Sequence, residues 1–253
     1  MNREPKSVLV TGAAKRLGRA IALDLARAGW DVAIHYNSSE NDAQSAASDI
    51  RELGRKAALL RGDLSKESDT QALIGRATTE LGTLTALVNS ASLFENDDWN
   101  SATRASWDAH MDVNLRAPFV LAQQFARALP EGTHGAIVNI VDQRVLKPTP
   151  QFVSYSLSKA GLHWLTTTLA QALAPRIRVN AVAPGPTIIN ARQSESDFRR
   201  QRESTLLGIG SEPEDVCSAV RYLLDAKAVT GETIAVDGGQ HLAWKTPDVG
   251  VRE

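Results

Sequence analysis

Cysteine is almost missing from this chain: Cys217 is the only one in 253 residues. A single thiol excludes an intramolecular disulfide and any metal site built from several cysteines, which fits a reducing compartment. The residue itself reads as a small buried hydrophobe on a helix. An excess of charge of either sign is also absent. Lys plus Arg number 28 and Asp plus Glu 29, so no overall field draws the chain to nucleic acid or to an anionic membrane, and the expected partner is a small-molecule substrate. No apolar run approaches the roughly 20 residues of a membrane span. Met1-Asn2-Arg3-Glu4-Pro5-Lys6 leads into the first apolar stretch without the hydrophobic centre of a signal peptide, and a cytoplasmic location is expected. His35, His110, His134, His163 and His241 are scattered without ligand spacing, so no metal is expected. No Pro/Gly/Ser-rich linker, low-complexity tract or repeat divides residues 1–253, which are expected to form one domain.

What is present is enough apolar material, 43% of residues, for one large core. Seven short apolar runs stand out as strands: Ser7–Val10, Asp31–Tyr36, Ala57–Arg61, Ala86–Asn89, residues 136–140, residues 178–182 and Thr233–Val236. Segments of helical period fill the gaps. Strands apolar on both faces and separated by helix-length segments indicate a parallel sheet covered on both sides, a doubly wound α/β fold with right-handed crossovers. In such sheets ligands sit beyond the carboxyl ends of the strands. The polar stretch 193–204, within 190–206, is expected to be a substrate lid or a surface helix.

Ser7–Val10 runs straight into Thr11-Gly12-Ala13-Ala14-Lys15-Arg16-Leu17-Gly18, after which Ile21, Leu25 and Ala28 continue at helical spacing. Gly12 permits a tight turn and Gly18 close packing, while free N–H groups at the helix start favour a pyrophosphate. The spacing departs from G-x-G-x-x-G, and Arg16 stands where another glycine might sit, putting a cation beside the phosphates with Lys15 and Leu17 next to it. Glycines at a strand–helix junction are also common for structural reasons alone. The second strand ends His35-Tyr36-Asn37-Ser38-Ser39, with no carboxylate to accept from an adenosine ribose. Asp31 precedes that apolar run and is expected to be a solvated turn residue. Arg16, His35 and Ser39 are available to donate to a 2′-phosphate, so NADP(H) is favoured over NAD(H). Asp63 and Leu64 follow the third strand; Asp63 fits either an adenine amino group or the N-cap of a helix starting at residues 66–73.

Tyr155 and Lys159 are spaced i,i+4 and share one helix face. A phenol is a poor acid near neutrality, and an adjacent ammonium lowers its pKa. With an upstream dinucleotide loop, the pair points to proton chemistry. The order of the 11–18 loop, Asn89-Ser90-Ala91-Ser92, Asn114, Tyr155 with Lys159, and Pro184-Gly185 resembles the short-chain dehydrogenase/reductase family over nearly the whole chain. The resemblance implies a seven-stranded Rossmann-type sheet, a homotetramer, Tyr155 as proton donor, Lys159 on the nicotinamide ribose and Asn114 supporting a proton relay. It also implies that Asn89, Ser90, Ala91, Pro184 and Gly185 line the cofactor, and that Val236-Asp237-Gly238-Gly239 serves turn and subunit contacts.

Where most of the family carries a serine thirteen residues before the tyrosine, this chain has Asp142. An aspartate there can relay a proton to the phenol, and burial beside acidic or apolar groups would raise its pKa; otherwise it caps a turn. Together with Arg16, Ser92 and Phe94, it resembles the pteridine reductase branch. That resemblance implies Phe94 stacked on a planar heterocycle whose other face meets the nicotinamide, with Arg16 and Ser92 at its polar edge; ordinary core packing is the competing role for Phe94. The expected reaction is hydride transfer from NADPH to an imine-like carbon of a pterin, the proton coming through Tyr155 and being tuned by Asp142 and Lys159. The acidic run Glu95-Asn96-Asp97-Asp98 would favour a cationic substituent or be solvated. The alternatives are reduction of a ketone, with Asp142 merely tolerated, and a non-catalytic NADP-binding regulator.

Overall fold

The computed structural model describes residues 6–190 and 192–244, so the expectation about residues 1–5 lies outside the described residues. Strands β1 (Ser7–Val10), β2 (Asp31–Tyr36), β3 (Ala57–Arg61), β4 (Ala86–Asn89), β5 (Gly135–Ile140), β6 (Ile177–Pro184) and β7 (Thr233–Val236) form one sheet. Their order is β3-β2-β1-β4-β5-β6-β7, and every neighbouring pair is parallel. The helices are α1 (Arg16–Arg27), α2 (Glu40–Glu52), α3 (Glu67–Leu81), α4 (Arg104–Met111), α5 (Ala117–Ala128), α6 (Val153–Leu173), α7 (Glu195–Glu203) and α8 (Pro213–Asp225). A five-residue π-helical segment, Asp112–Arg116, joins α4 to α5.

Alternation along the strands divides the core into two layers. Val8, Val10, Val32 and Ile34 pack on Ile21 and Leu25 of α1, Ala46 and Ile50 of α2, and Val216 and Val220 of α8. Leu9, Ala33, Leu87, Ile137 and Val179 face the other way, onto Leu73 and Ile74 of α3, Leu121 and Phe125 of α5 and Ala170 of α6. Each fully buried Leu or Ile contributes about 1.5–3 kcal/mol, so a sheet covered on both faces needs no disulfide. Cys217 is one of these buried packing residues, and burial pushes its thiol up to about 12. The chain order reverses between β1 and β4, which opens a crevice at their carboxyl ends.

The seven strands and the doubly wound fold are those expected, with local differences. β5 starts one residue earlier, at Gly135, where any side chain would meet the Phe125 ring at 2.9 Å. β6 runs beyond the expected 178–182 because its end pairs with β7, Ala183 opposite Ala235 and Pro184 opposite Val236. Asp31 is not a solvated turn residue. It opens β2, is buried, accepts from the Lys56 N–H at 2.8 Å and pairs with Arg55 at 2.7 Å. The polar stretch after β6 contains the surface helix α7, none of whose residues is buried. Among the described residues no helix is long and apolar enough to cross a membrane, and no group of three or more His, Cys, Asp or Glu is placed to hold a metal ion.

Candidate active site

The loops after the strands surround a cavity of about 990 Å³, large enough for a dinucleotide end and a small heterocycle together. At one end lies the turn between β1 and α1. Gly12 has φ +66°, and a Cβ there would sit 2.9 Å from the Ala91 Cα; at Gly18 it would sit 2.2 Å from the Gly12 carbonyl oxygen. Both glycines are therefore required by close backbone approach. Thr11 ties this turn to β4, its Oγ1 accepting from the Ser90 and Ala91 N–H groups at 2.9 and 3.0 Å. No side chain caps the start of α1, leaving its first N–H groups for an anion.

Arg16 adopts φ +52°, the left-handed backbone that a glycine takes without penalty. Its guanidinium crosses to the loop after β6, donating to the carbonyls of Ile189 at 2.8 Å and Ile188 at 3.1 Å. Lys15 pairs with Asp42 of α2 at 2.9 Å. Lys15, Arg16, Leu17, Asn37, Asp63, Leu64, Ser90 and Ala91 line the cavity.

Several expected cofactor residues act differently from the sequence reading. The imidazole of His35 accepts from the Gly12 N–H at Nδ1, 3.1 Å, so Nε2 donates to the Gly62 carbonyl at 3.1 Å. Burial lowers it to about 4. This neutral ring has no donor left for a phosphate and instead buttresses the glycine turn. The Tyr36 side chain belongs to the core, and Tyr36, Ser38 and Ser39 do not line the cavity. Asn89 is buried and donates sideways to Asn139 at 2.8 Å, so it joins β4 to β5 rather than facing the cavity. Asp63 does not cap α3, whose N-cap is Lys66; its Oδ1 accepts from Ser65 in the turn before the helix. Pro184 and Gly185 line the cavity, although Gly185 is required by β7's turn, where a Cβ would meet the Asp237 Cα at 2.7 Å.

At the other end α6 delivers Tyr155 and Lys159. The Tyr155 hydroxyl donates to Asp142 Oδ2 at 2.8 Å. Burial, then the Asp142 charge and hydrogen bond, push the phenol well above its ordinary value, against the opposing pull of Arg144 and the Ser92 hydroxyl. This reverses the expected lowering: the charge touching the phenol oxygen is a carboxylate, whereas the Lys159 ammonium lies 5.9 Å from the ring centroid and donates to the Ile140 carbonyl at 2.8 Å. Burial brings Lys159 down to about 8, with Asp142 opposing. Asp142 is both turn cap and phenol partner. Its Oδ1 caps the short helical turn Gln143–Val145 by accepting from the Arg144 N–H at 2.8 Å, and Arg144 Nη1 spans both oxygens at 3.3 and 3.2 Å. Its charged neighbour is thus a guanidinium rather than another acid.

Arg144, Phe152 and Arg192 escaped the sequence reading. Phe94 stacks on Phe152 with ring centroids 4.6 Å apart and meets the Tyr155 ring edge-on at 4.6 Å. The Arg144 and Arg192 guanidinium groups lie 5.7 and 5.3 Å from the Phe94 centroid. Phe94 lines the cavity, but part of its surface is committed to a protein ring. Asn114 is fully buried in the π-helical segment and does not line the cavity; its amide holds Leu93 at N–H and carbonyl and donates to Ser158 at 3.0 Å. The acidic run is largely spent internally. Glu95 pairs with Arg192 at 2.5 Å, Asp98 caps the turn at Asn100 and Ser101, and Asp97 is buried. No sequence spacing announces the Glu95 and Asp97 pairings, since Arg192 and Ser154 lie far away in the chain.

The profile of the short chain dehydrogenase family matches residues 6–200. Over 96% of this chain and 98% of its own, an NADP complex of Brucella suis FolM, described as alternative dihydrofolate reductase 1, superposes with a TM-score of 0.93 at 48% identity. The Brucella canis protein of the same description gives 0.91 and 46%, covering 97% of this chain and 98% of its own. The 3-oxoacyl-[acyl-carrier-protein] reductase FabG of Staphylococcus epidermidis is 32% identical over 94% of this chain and 99% of its own.

Proposed function

This chain belongs to the short-chain dehydrogenase family, and on that premise we propose that it is an NADPH-dependent reductase of a pterin, of dihydropteridine or dihydrofolate type. NADP(H) suits the residues present. The 12–18 turn has no Cβ to bar a pyrophosphate at either glycine, the start of α1 is uncapped, and residues 37–39 carry no carboxylate. Gly12, Leu17 and Gly18 would hold the pyrophosphate, Lys15 and Asn37 the adenosine phosphate, Asp63 and Leu64 the adenine, and Lys159 the nicotinamide ribose. Bound there, the cofactor supplies the hydride.

The carrying observation is the Asp142 carboxylate on the Tyr155 phenol at 2.8 Å, beside the Phe94 ring. Ketone reduction generates an alkoxide, which a neighbouring carboxylate destabilises. Reduction at a C=N bond forms no oxyanion and needs a proton on nitrogen. Its heterocycle also carries N–H donors that a carboxylate accepts. Tyr155 gives the proton, Asp142 relays its replacement, and Lys159 offsets the phenolate charge. Phe94 supplies an apolar face, Ser92 and Arg16 the polar edge, and α7, whose Phe198 lines the cavity, closes the substrate end. The dihydrofolate reductase description of the Brucella proteins supports this reading.

The likeness to FabG supports a second reading, a ketone reductase. NADPH consumption with a dihydropterin, dihydrofolate and an acetoacetyl thioester separates the two. Preference for a pterin by about 10²-fold or more in kcat/KM is expected, and preference for the thioester would replace this reading with the second.

A further inference from the structure

Beside the catalytic phenol lies a buried polar group that the proton chemistry does not use. Asp97 comes from the loop after β4 that also carries Phe94, His110 from α4, and Ser154 from the first turn of α6, next to Tyr155; all three are buried. Asp97 Oδ1 accepts from the Ser154 N–H at 3.0 Å, and its carbonyl accepts from the Val153 N–H at 3.1 Å. Oδ2 accepts from the Ser154 hydroxyl and from the Ser106 hydroxyl, the latter at 3.0 Å. Burial pushes the Asp97 carboxyl up, but the Ser154 and Ser106 hydrogen bonds outweigh it and leave it below the ordinary carboxylate value.

His110 completes the connection. Its Nε2 faces the Glu95 N–H at 3.2 Å and must accept, which places the ring proton on Nδ1, facing the Ser154 hydroxyl at 2.7 Å and the Ser106 carbonyl at 3.0 Å. The imidazole also meets the Tyr155 ring edge-on, 6.1 Å between centroids. One hydrogen-bonded chain thus runs from Glu95, adjoining Phe94, to Ser154, adjoining Tyr155. It sits where α6 begins from a strained residue, Phe152 at φ +58°, a left-handed conformation costing about 1–2 kcal/mol. A buried carboxylate is costly unless fully bonded. Here the carboxylate takes up the Ser154 N–H and the Asp97 backbone carbonyl the Val153 N–H, two groups at the start of α6 that have no partner within the helix.

We propose that Asp97, Ser154 and His110 form a positioning brace that sets the Tyr155 phenol relative to Phe94, so that the proton donor and the apolar face of the substrate site move as one body. This rests on the role given to Tyr155 above. The effect is expected on turnover rather than on cofactor affinity, because no brace residue lines the cavity and a misplacement of about 1 Å near reacting atoms can cost about 10²-fold.

Steady-state turnover of a dihydropterin and NADPH affinity by fluorescence titration, measured on Asp97→Ala, Asp97→Asn, Ser154→Ala and Tyr155→Phe proteins, test it. Asp97→Ala is expected to lower kcat by about 10- to 100-fold with NADPH affinity within about twofold, Asp97→Asn to recover part of the loss, and Ser154→Ala to fall between them. Combined with Tyr155→Phe, Asp97→Ala should lower the residual single-turnover rate no further, the signature of action through the phenol. Parent-like turnover by Tyr155→Phe would refute the role of Tyr155 itself. An impaired Tyr155→Phe beside an Asp97→Ala of normal kcat would refute the brace alone. Parallel loss of kcat and NADPH affinity, an undiminished Asp97→Ala effect in the Tyr155→Phe background, or failure of all three brace variants to fold would also overturn it, assigning the network to stability.

Discussion

The two ends of the cavity are built by opposite means. At the end proposed for the cofactor the site is built from backbone: two glycines with no room for a Cβ, an uncapped helix start, and Arg16 in a left-handed conformation. At the end proposed for the substrate it is built from side chains gathered from separate segments, Phe94, Asp142, Arg144, Phe152 and Tyr155, each touching at least one other. Backbone sites tolerate little substitution but depend on few distant partners. Side-chain clusters tolerate change in shape and fail when one charge is removed. The ends should therefore respond to mutation in different observables, affinity for cofactor at the first and turnover or its pH dependence at the second.

Tyr155→Phe breaks the comparison most sharply. It should lower kcat by about 10²–10⁴-fold with NADPH affinity retained, as read by dihydropterin kinetics and fluorescence titration. Next comes Asp142→Asn, expected to lower kcat by roughly 10-fold or more on the same acid–base grounds and to displace the pH profile. The Asp142 charge holds the phenol up. A protonated phenol donates below its pKa and fails above it, so removing the charge moves the alkaline limb of kcat to lower pH.

Gly18→Ala addresses the other end. Its Cβ would fall 2.2 Å from the Gly12 carbonyl oxygen, and overpacking of this kind costs about 1–3 kcal/mol. Weaker NADPH binding with little change in kcat at saturation is the expected outcome. Arg16→Gly sharpens the contrast, since glycine takes the φ of +52° freely while the two carbonyl contacts across to Ile188 and Ile189 are lost. Thermal stability should hold or rise slightly as KM rises.

For Lys159→Met the readout is the pH dependence of stability rather than a rate. Lys159 is lowered to about 8 in the folded chain, and the unfolded state holds its proton up to about 10.4. Between those values the unfolded state binds more protons. The parent should therefore gain stability relative to the variant as pH rises from about 8 toward that limit, in denaturant titrations.

The same division governs what the sequence could disclose. The strands, the glycine turn and the Tyr155–Lys159 spacing were legible because their signals are local: a continuous apolar run in each strand, φ at Gly12, one helical turn between residues 155 and 159. Even the backbone of Arg16 was foreshadowed by its standing in a glycine's place. The end of a strand does not reveal which way a side chain turns: Asn89 points to β5 and Tyr36 to the core, while His35 lines the cavity with its ring turned to the glycine turn. The lowering expected for the Tyr155 phenol was reversed because it considered the helix neighbour, four residues away, and neither the burial of the phenol nor the carboxylate arriving from β5's loop. Phe152 and the burial of Asp97 were silent for the same reason: only folding brings Phe94 to the one and Ser154 to the other.

The central claim is that one phenol, held by Asp142, faces the substrate beside the cofactor. A crystal structure with NADP⁺ and a dihydropterin tests it most directly. The account predicts the pterin against Phe94, with a ring nitrogen within hydrogen-bond reach of the Tyr155 hydroxyl. A pterin bound elsewhere, or a phenol turned away from both ligands, would contradict it.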